Sequence, residues 1–475
     1  MMYRYAELAD TMADEIARGL WLPGTRFPSI RASASRFHVG INTVKSAYRL
    51  LEDRGLIIAR PQSGYFVCEQ APVLSDSGFS SVAGEKISLS GVSRLLSIIL
   101  SHQQQGDCID LALACPSGEK YYPADKLRKL TAAVLRSESQ LMTTYVLPPG
   151  SERLRQQIAR RGYRLGMALK AEDILLTHGT TEALSLAIRA VTKPGDIIAV
   201  ETPTFYNLYP AIRDLGREIL EIETSTHTGL CLDTLQQYLE QKKVSAVITI
   251  PTGHNPLGFT MPVENRKRLA AMAAYHSVPV IEDAMYAELQ YTSGMVPNIK
   301  AFDFDGWVLA CASYTKTIAP DYRVGWLEAG RFRDIAMQLK FTSSVGESVL
   351  LTESLGKFLE NGGYDHHLRK ICQFYAAQID RMRALIMRYF PKGTLVSRPQ
   401  AGFVLWLELP ASVDTLVLFH QALEEKIICM PGVLCSGGKR YQNCLRMAVC
   451  FDLTPAVVQG IARLGSLATQ QIQSL

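Results

Sequence analysis

The sequence predicts an α/β protein in two parts: a small helical module closed by a β-hairpin, then a large domain on a mostly parallel sheet with flanking helices. Three observations predict it. Across residues 5–67, short amphipathic stretches are punctuated by Gly, Pro and Ser turns. From about residue 127 onward, strand-like apolar runs alternate with helical ones. Between these regions the composition turns to Ser, Gly, Pro and Ala without periodicity, as a flexible linker does. At 475 residues the chain exceeds one ordinary domain. The expected division is 1–68, a linker over 69–88, and 89–475.

Bulk composition narrows the classes. A hydrophobic content of 47% with 20% charged residues supports a sizeable core. The net charge of +5 says little when averaged, but between Arg18 and Arg60 eight Lys or Arg meet only two acids, Glu52 and Asp53. That local basic surface suits nucleic acid. Ten cysteines are scattered without a Cys-x-x-Cys pair, and no signal-like segment precedes them. Reduced thiols in a cytoplasmic protein are therefore expected. No apolar run nears the roughly 20 residues that span a bilayer. Zinc spacing is absent, no metal is expected, and His366-His367 reads as a solvated helix face.

In the first module, Leu8, Met12 and Ile16 recur at helical spacing, with Gly19 placed to end that helix. Ser29 closes the turn Pro23 to Ser29 and can cap a short second helix, Ile30 to Arg36. A third helix runs from about Asn42 to Arg54. Val44, Ala47, Tyr48 and Leu51 form its apolar face, while Asn42, Lys45, Ser46 and Arg49 turn outward. Ile57 to Arg60 and Tyr65 to Val67 flank Pro61-Gln62-Ser63-Gly64, a hairpin. Three small helices and a hairpin make a winged helix-turn-helix, its third helix sized for a major groove. The rival reading is a small oligomerisation module with an ordinary solvated surface.

Particular residues favour the first reading. Pro23-Gly24-x-Arg26-x-Pro28-Ser29-x-Arg31, Asn42-Thr43-Val44-x-x-Ala47-Tyr48 and Gly55-Leu56-Ile57 closely resemble the GntR family of bacterial repressors, over residues 3–67. The resemblance implies a double-stranded DNA operator as partner. It places Arg31, Thr43, Lys45, Arg49 and Gly64 at or near DNA, with Asn42 at the start of the same helix. Gly40-Ile41 stand where the family commonly has Ser/Thr-Arg, so one frequent base-reading arginine is missing.

In the large domain, Val92 to His102, Leu127 to Ser137 and Glu152 to Leu165 read as helices. Ile174 to Thr177 is a strand that breaks at His178-Gly179-Thr180-Thr181 into a helix from Glu182 to Val191. Free N–H groups and the helix dipole suit such a break to an anion, although by itself it reads equally as a plain strand-to-helix turn. Strands at Asp196–Val200, Ala246–Ile250 and Val278–Ile281 run into Phe205, Asn255-Pro256 and Asp283-x-x-Tyr286. In an open parallel sheet the ligand lies at these carboxyl ends.

Ser313 to Trp326 is the richest stretch. A buried strand, Gly306 to Cys311, precedes it, and Tyr322 to Leu327 alternates like another. Lys316 sits on the short link, where desolvation or a nearby cation can free its amine as a nucleophile. Arg323 offers a cation and a planar fork for phosphate. The grouping Ser-x-x-Lys-x6-Arg-x-Gly resembles the internal-aldimine motif of fold-type I pyridoxal 5'-phosphate (PLP) aminotransferases. Such a cofactor needs a carboxylate at its ring nitrogen, which Asp283 can supply. Asn255 and Tyr286 can donate to its phenolate oxygen, and Phe205 can stack on its ring. Gly179, Thr180, Thr181, Ser313 and Arg323 can hold its phosphate.

About residues 108–475 look like such an aminotransferase throughout, which implies a smaller α+β part toward the C-terminus. Tyr145, in Tyr-x-x-Pro148-x-Gly150, resembles the tyrosine that these dimers lend to the neighbouring subunit's phosphate. Arg446, in Leu445-Arg446-Met447, resembles the arginine for a substrate or effector α-carboxylate. Asp321, His254 and Leu257 depart from a usual glycine, glutamine and threonine. The last two are read as flanking the phenolate side, which points to binding without brisk turnover. A GntR-type reader ahead of an aminotransferase-like domain is the layout of the MocR subfamily, which the chain resembles from end to end. The resemblance implies a homodimer with DNA-binding domains swapped onto partner subunits, sensing PLP or an amino compound that displaces Lys316. The alternatives are a working aminotransferase with an accessory DNA-binding domain, and a DNA-binding protein whose large domain only dimerises.

Overall fold

In the computed structural model, residues 4–60, 63–69, 89–143, 145–291, 294–438 and 440–474 are described. The expected linker lies outside them except for Glu69, as do Pro61 and Gln62 of the hairpin. Helix α1 (Arg4–Ala17) buries Leu8, Met12 and Ile16 against Val44, Ala47, Tyr48 and Leu51 of α3 (Ile41–Asp53). Between them α2 (Ile30–Arg36) starts at Ser29, whose Oγ accepts the Ala32 N–H at 3.2 Å. Tyr48 ties the three helices together: its hydroxyl donates to the Pro28 carbonyl at 2.7 Å and pairs with Ser33 Oγ at 2.8 Å. Strands β1 (Ile57–Arg60) and β2 (Gly64–Val67) pair antiparallel, and Phe27 N–H donates to Tyr65 O, adding the preceding turn to the wing.

The large domain is built on an eight-stranded sheet. In chain order its strands are β3 (Ile174–Thr177), β4 (Ile197–Thr202), β5 (Glu218–Ser225), β6 (Gly229–Leu230), β7 (Ala246–Thr249), β8 (Val280–Asp283), β9 (Val308–Ser313) and β10 (Gly325–Glu328). Their order across the sheet is β3-β10-β9-β8-β7-β4-β5-β6. All run parallel except β10 and the edge strand β6. Strands β3, β7, β8, β9 and β10 are buried at every position. Full burial is the signature of a sheet covered on both faces. It replaces the alternation expected for Tyr322 to Leu327, whose regular strand begins only at Gly325.

Three later elements matter below: α4 (Gly179–Val191), which begins at the glycine itself rather than at Glu182; α5 (Arg333–Ser343); and the 27-residue α6 (Gly363–Tyr389). A smaller antiparallel sheet follows, built from Leu395–Val396, Val404–Glu408, Cys444–Ala448 and Met430–Pro431. Its central strand carries Arg446. All ten cysteines are free, five of them buried. No helix among the described residues is long and apolar enough to cross a membrane.

Leu51 is fully buried at the junction of α1 and α3. Leu51→Ala is expected to cost the N-terminal module about 2–5 kcal/mol. Hydrogen exchange on the full chain should show this as faster exchange of the α3 amides, with the sheet amides of the large domain unchanged.

Candidate functional site

The chemistry gathers at the carboxyl edge of the large sheet. Strand β10 runs antiparallel to both β9 and β3, so β3 and β9 end on the same side as β4, β7 and β8. Lys316 lies on the link between β9 and β10 and is half-buried. The link is folded tightly, since Tyr314 O accepts from Thr317 N at 3.3 Å and from Ile318 N at 2.9 Å. Thr317 is fixed from outside: Tyr364 donates to its Oγ1 at 3.0 Å, and His367 Nε2 bonds its carbonyl at 2.7 Å. His367 is therefore a partly buried anchor and not the solvated face expected of it. Burial lowers its pKa, which keeps the ring neutral with Nε2–H as the donor.

The start of helix α4 lies beside the strand that follows the link. Helix α4 begins at Gly179, so the amides of Gly179, Thr180 and Thr181 are among the first four, which lack intrahelical partners. A side chain at Gly179 would stand 2.9 Å from the Arg323 guanidinium, and one at Gly325 would stand 2.6 Å from the Gly179 carbonyl carbon. Both glycines are thus required for Arg323 to lie against the helix start. Arg323 itself has φ +52, a left-handed conformation that costs a non-glycine residue about 1–2 kcal/mol. In that conformation its guanidinium reaches the His178 carbonyl at 3.5 Å. Ser313, the last residue of β9, and Thr180 both point their hydroxyls at Met285 Sδ, at 3.4 and 3.8 Å. The sequence reading missed Met285, because nothing marks a methionine as a liner of a polar cradle.

The neighbouring strand ends supply the rest. Asp283 closes β8, is 6% exposed and accepts the Met285 N–H at 3.0 Å. Burial, with Glu201 and Glu282 nearby, pushes its pKa up to about 6. Asn255 is buried with Oδ1 unpartnered. Tyr286 is buried edge-to-face on Phe403, its pKa raised by burial. Phe205 is half-buried and meets Tyr206 edge-on. Arg446 is 1% exposed, donates to the Ala112 carbonyl and leaves Nε unpaired, with the Tyr206 ring 5.9 Å from its guanidinium carbon. An unpaired buried guanidinium N–H is costly unless a ligand completes it. Tyr145 is 77% exposed and stands outside this cluster. Thr181 is exposed as well.

Two departures from the family pattern are buried in the core. Leu257 is 1% exposed and packs with Phe259, Met261 and Trp406 in an apolar cluster. His254 is fully buried, stacks on Phe259 at 4.6 Å and accepts the Leu257 N–H at Nδ1. Its Nε2 lies 3.2 Å from the buried Glu201 carboxylate but off the line of a hydrogen bond. Both side chains are packed into the core on either side of Asn255. A further group was missed because its members are far apart in sequence. Lys340 of α5 is fully buried and bonded to Glu182 at 2.8 Å and to Glu347. Glu182 also accepts the His178 N–H at 2.6 Å, so this network holds the start of α4. His178, Glu182 and Glu347 gather ligand atoms as a metal site would, but Lys340 already lies among them, bonded to both carboxylates.

On the N-terminal module, Arg31, Asn42, Lys45, Arg49 and Gly64 are exposed and Thr43 is partly so. Arg31 lies on α2, Asn42, Thr43, Lys45 and Arg49 on the recognition helix, and Gly64 in the wing. Not all of the local basic excess is free for DNA. Arg36 pairs with Glu15 at 2.6 Å, and the buried Arg54 pairs with Asp10 at 2.7 Å.

A winged helix-turn-helix joined to a lysine-centred site at the carboxyl edge of a mostly parallel sheet defines a two-part regulator with an aminotransferase-like domain. The chain belongs to the aminotransferase class I and II family, whose model matches residues 107–463, and residues 4–67 match the gntR family of bacterial regulatory proteins. This is the MocR-type layout. The chain is similar from end to end to two HTH-type transcriptional regulators of Escherichia coli (strain K12). YjiR is 32% identical over 98% of each chain. YdcR is 31% identical over 99% of this chain and 100% of its own. Among solved structures, the multiple substrate aminotransferase from Thermococcus profundus superposes with a TM-score of 0.74 at 27% identity, over 80% of this chain and 96% of that one. The large domain therefore has the fold-type I architecture.

Because the folded state raises the Asp283 pKa above its unfolded value, the native protein binds more protons there between about pH 4 and 6. Ionising the buried carboxylate costs stability as pH rises through that window. Asp283→Asn is thus expected to raise the melting temperature of the cofactor-free protein at pH 7–8, by the equivalent of about 2–3 kcal/mol, with the difference vanishing near pH 4. Calorimetry across pH checks this, and no gain at pH 7–8 would refute the buried-charge assignment.

Proposed function

We propose that the protein is a PLP-dependent transcription regulator that reads either PLP itself or an amino compound bound at Lys316. The observation that supports it is the pairing, in one chain, of an exposed basic recognition helix with a site whose open valences match this cofactor. The unpartnered Arg446 Nε, the glycine-walled approach to Arg323 and the carboxylate at a strand end all fit it. PLP, when bound, supplies an electrophilic aldehyde on a ring that can withdraw electrons. The chain's own residues do the rest. Lys316 presents the amine. Asp283, ionised above about pH 6, holds a proton on the ring nitrogen. Asn255 and Tyr286 donate to the phenolate oxygen, and Phe205 covers one ring face. Gly179, Thr180, Thr181, Ser313 and Arg323 bind the phosphate, and Arg446 takes the effector's carboxylate. The exposed Tyr145 reaches the phosphate of a second copy in a homodimer whose DNA-binding modules are exchanged. Arg31, Asn42, Thr43, Lys45, Arg49 and Gly64 face a double-stranded operator. The setting is the cytoplasm.

A second reading, a working aminotransferase with an accessory DNA-binding domain, draws on the same buried Arg446. A carboxylate-binding arginine beside a reactive lysine is what transamination needs as well. With His254 and Leu257 placed in the core, their substitution no longer argues against turnover, so kinetics must decide. Steady-state transamination over a panel of amino acids is expected to be negligible, while operator affinity depends on PLP. Turnover near about 1–10³ s⁻¹, with operator affinity indifferent to PLP, would establish the enzyme instead.

Borohydride is expected to fix the cofactor to the peptide containing Lys316, and Asp283→Ala to shift or weaken its absorbance. A label on Lys300 or Lys340, or none, overturns the site. Arg31→Ala and Arg49→Ala are each expected to cost about 1–3 kcal/mol of operator affinity or to flatten its salt dependence. A gel-shift salt series measures both, and unchanged affinity and slope would remove these residues from the interface.

A further inference from the structure

Helix α6 touches both halves of the molecule. Its first turns hold the lysine link: Tyr364 and His367 are both bonded to Thr317, the residue after Lys316, at 3.0 and 2.7 Å. Seventeen residues past Tyr364, about 25 Å along the axis, the helix meets the DNA-binding module. There Arg381 Nε donates to the Asp53 carbonyl at 2.6 Å. Asp53 is the last residue of the recognition helix α3, whose final carbonyls have no partner within the helix and favour a cation. Three residues further on, and so on the same face, Ala384 lies against Gly55. A side chain at Gly55 would come within 2.9 Å of the Ala384 Cβ. Gly55 has φ +68, so it suits this contact doubly, by its backbone and by its lack of bulk. Arg54, between the two contacts, is 4% exposed. The module is therefore seated on α6 by the end of the same helix that reads DNA.

We propose that α6 is the element through which the state of Lys316 reaches the DNA-binding module, with the face around Arg381 and Ala384 as that module's docking surface. The inference rests on the function proposed above. A change at Lys316 moves Thr317, and Thr317 is bonded to the near end of a stiff rod whose far end carries the dock. A packed interface of this kind has few intermediate arrangements, so a small shift at one end favours seated or released modules at the other. A ligand acts only through its different affinity for those two arrangements. The surface is occupied here by the module of the same chain, and an exchanged dimer would fill it with the module of the second copy.

The test uses the full-length protein, PLP as the probe, and a duplex selected from random sequence by the unmodified protein. Ala384→Glu and Arg381→Ala disturb the dock, and Tyr364→Phe loosens the grip on Thr317. The unmodified protein is expected to show the lysine-bound cofactor spectrum and a PLP-dependent change in duplex affinity of about 5–150-fold, the usual range of such coupling. Ala384→Glu and Arg381→Ala should keep the spectrum and still bind the duplex. Their affinity ratio with and without PLP should fall to within about twofold of one. Deuterium uptake over residues 50–56 should become high and insensitive to PLP. Tyr364→Phe should leave that segment protected while reducing the ratio. The proposal is overturned if the ratio persists in Ala384→Glu after uptake shows the dock open. It is equally overturned if the unmodified protein shows the spectrum while neither duplex affinity nor uptake at 50–56 responds to PLP. Absence of the spectrum in the unmodified protein is a separate result: it overturns the cofactor reading and removes the signal that α6 would carry.

Discussion

A single row of residues across three strands sets the geometry of the site. Ser313 pairs with Gly325, and Gly325 pairs with Thr177. This row puts the hydroxyl that ends β9, the glycine two residues after Arg323 and the residue two before Gly179 at one level. One strand further in, Cys311 is level with Asp283. Arg323 can lie against the first turn of α4 only because Gly325 and Gly179 both lack side chains at the point where the two backbones touch. A slip of one residue in β10 would turn every side chain of that strand to the opposite face. It would also carry the arginine out of reach. The site thus inherits much of its precision from buried strand register, while Tyr364 and His367 hold Thr317 from outside.

What could be read from the sequence follows from this. The strand ends, the lysine link and the three helices of the N-terminal module depend on short stretches whose chemistry is local, and they stand where their residues suggested. Leu8, Met12 and Ile16 announce a buried face by spacing alone. The anchoring of Thr317 by Tyr364 and His367, and the Lys340 bridge to Glu182 and Glu347, depend on partners far apart in the chain. No period or motif marks them. His254 and Leu257 show a different limit. They sit beside Asn255 in the sequence, and only the fold shows that all three are buried.

Charge burial shapes both halves. Around Asp283 three carboxylates share one desolvated region, with Glu201 fully buried beside a histidine and Glu282 held by the Ile299 and Lys300 amides. On the other side of the cluster, Arg446 keeps a donor unpaired. Such an arrangement is expensive in an empty protein and becomes favourable when a ligand of complementary charge pattern completes it. The N-terminal module works the other way. Arg31, Lys45 and Arg49 remain in water, where they attract phosphates at long range at little cost to the fold.

The cysteines of the large domain bear on how an aldehyde would fare in this pocket. Cys450 lies within electrostatic reach of Lys316, and burial pushes its pKa up to about 12. Cys311 stands beside Asp283 in the next strand, with its pKa raised by burial and by the surrounding carboxylates. A thiol adds to a carbonyl carbon mainly as the thiolate, and these two sulfurs hold their protons throughout the physiological range. Neither sulfur therefore presents an anion that could compete with an amine for a bound aldehyde.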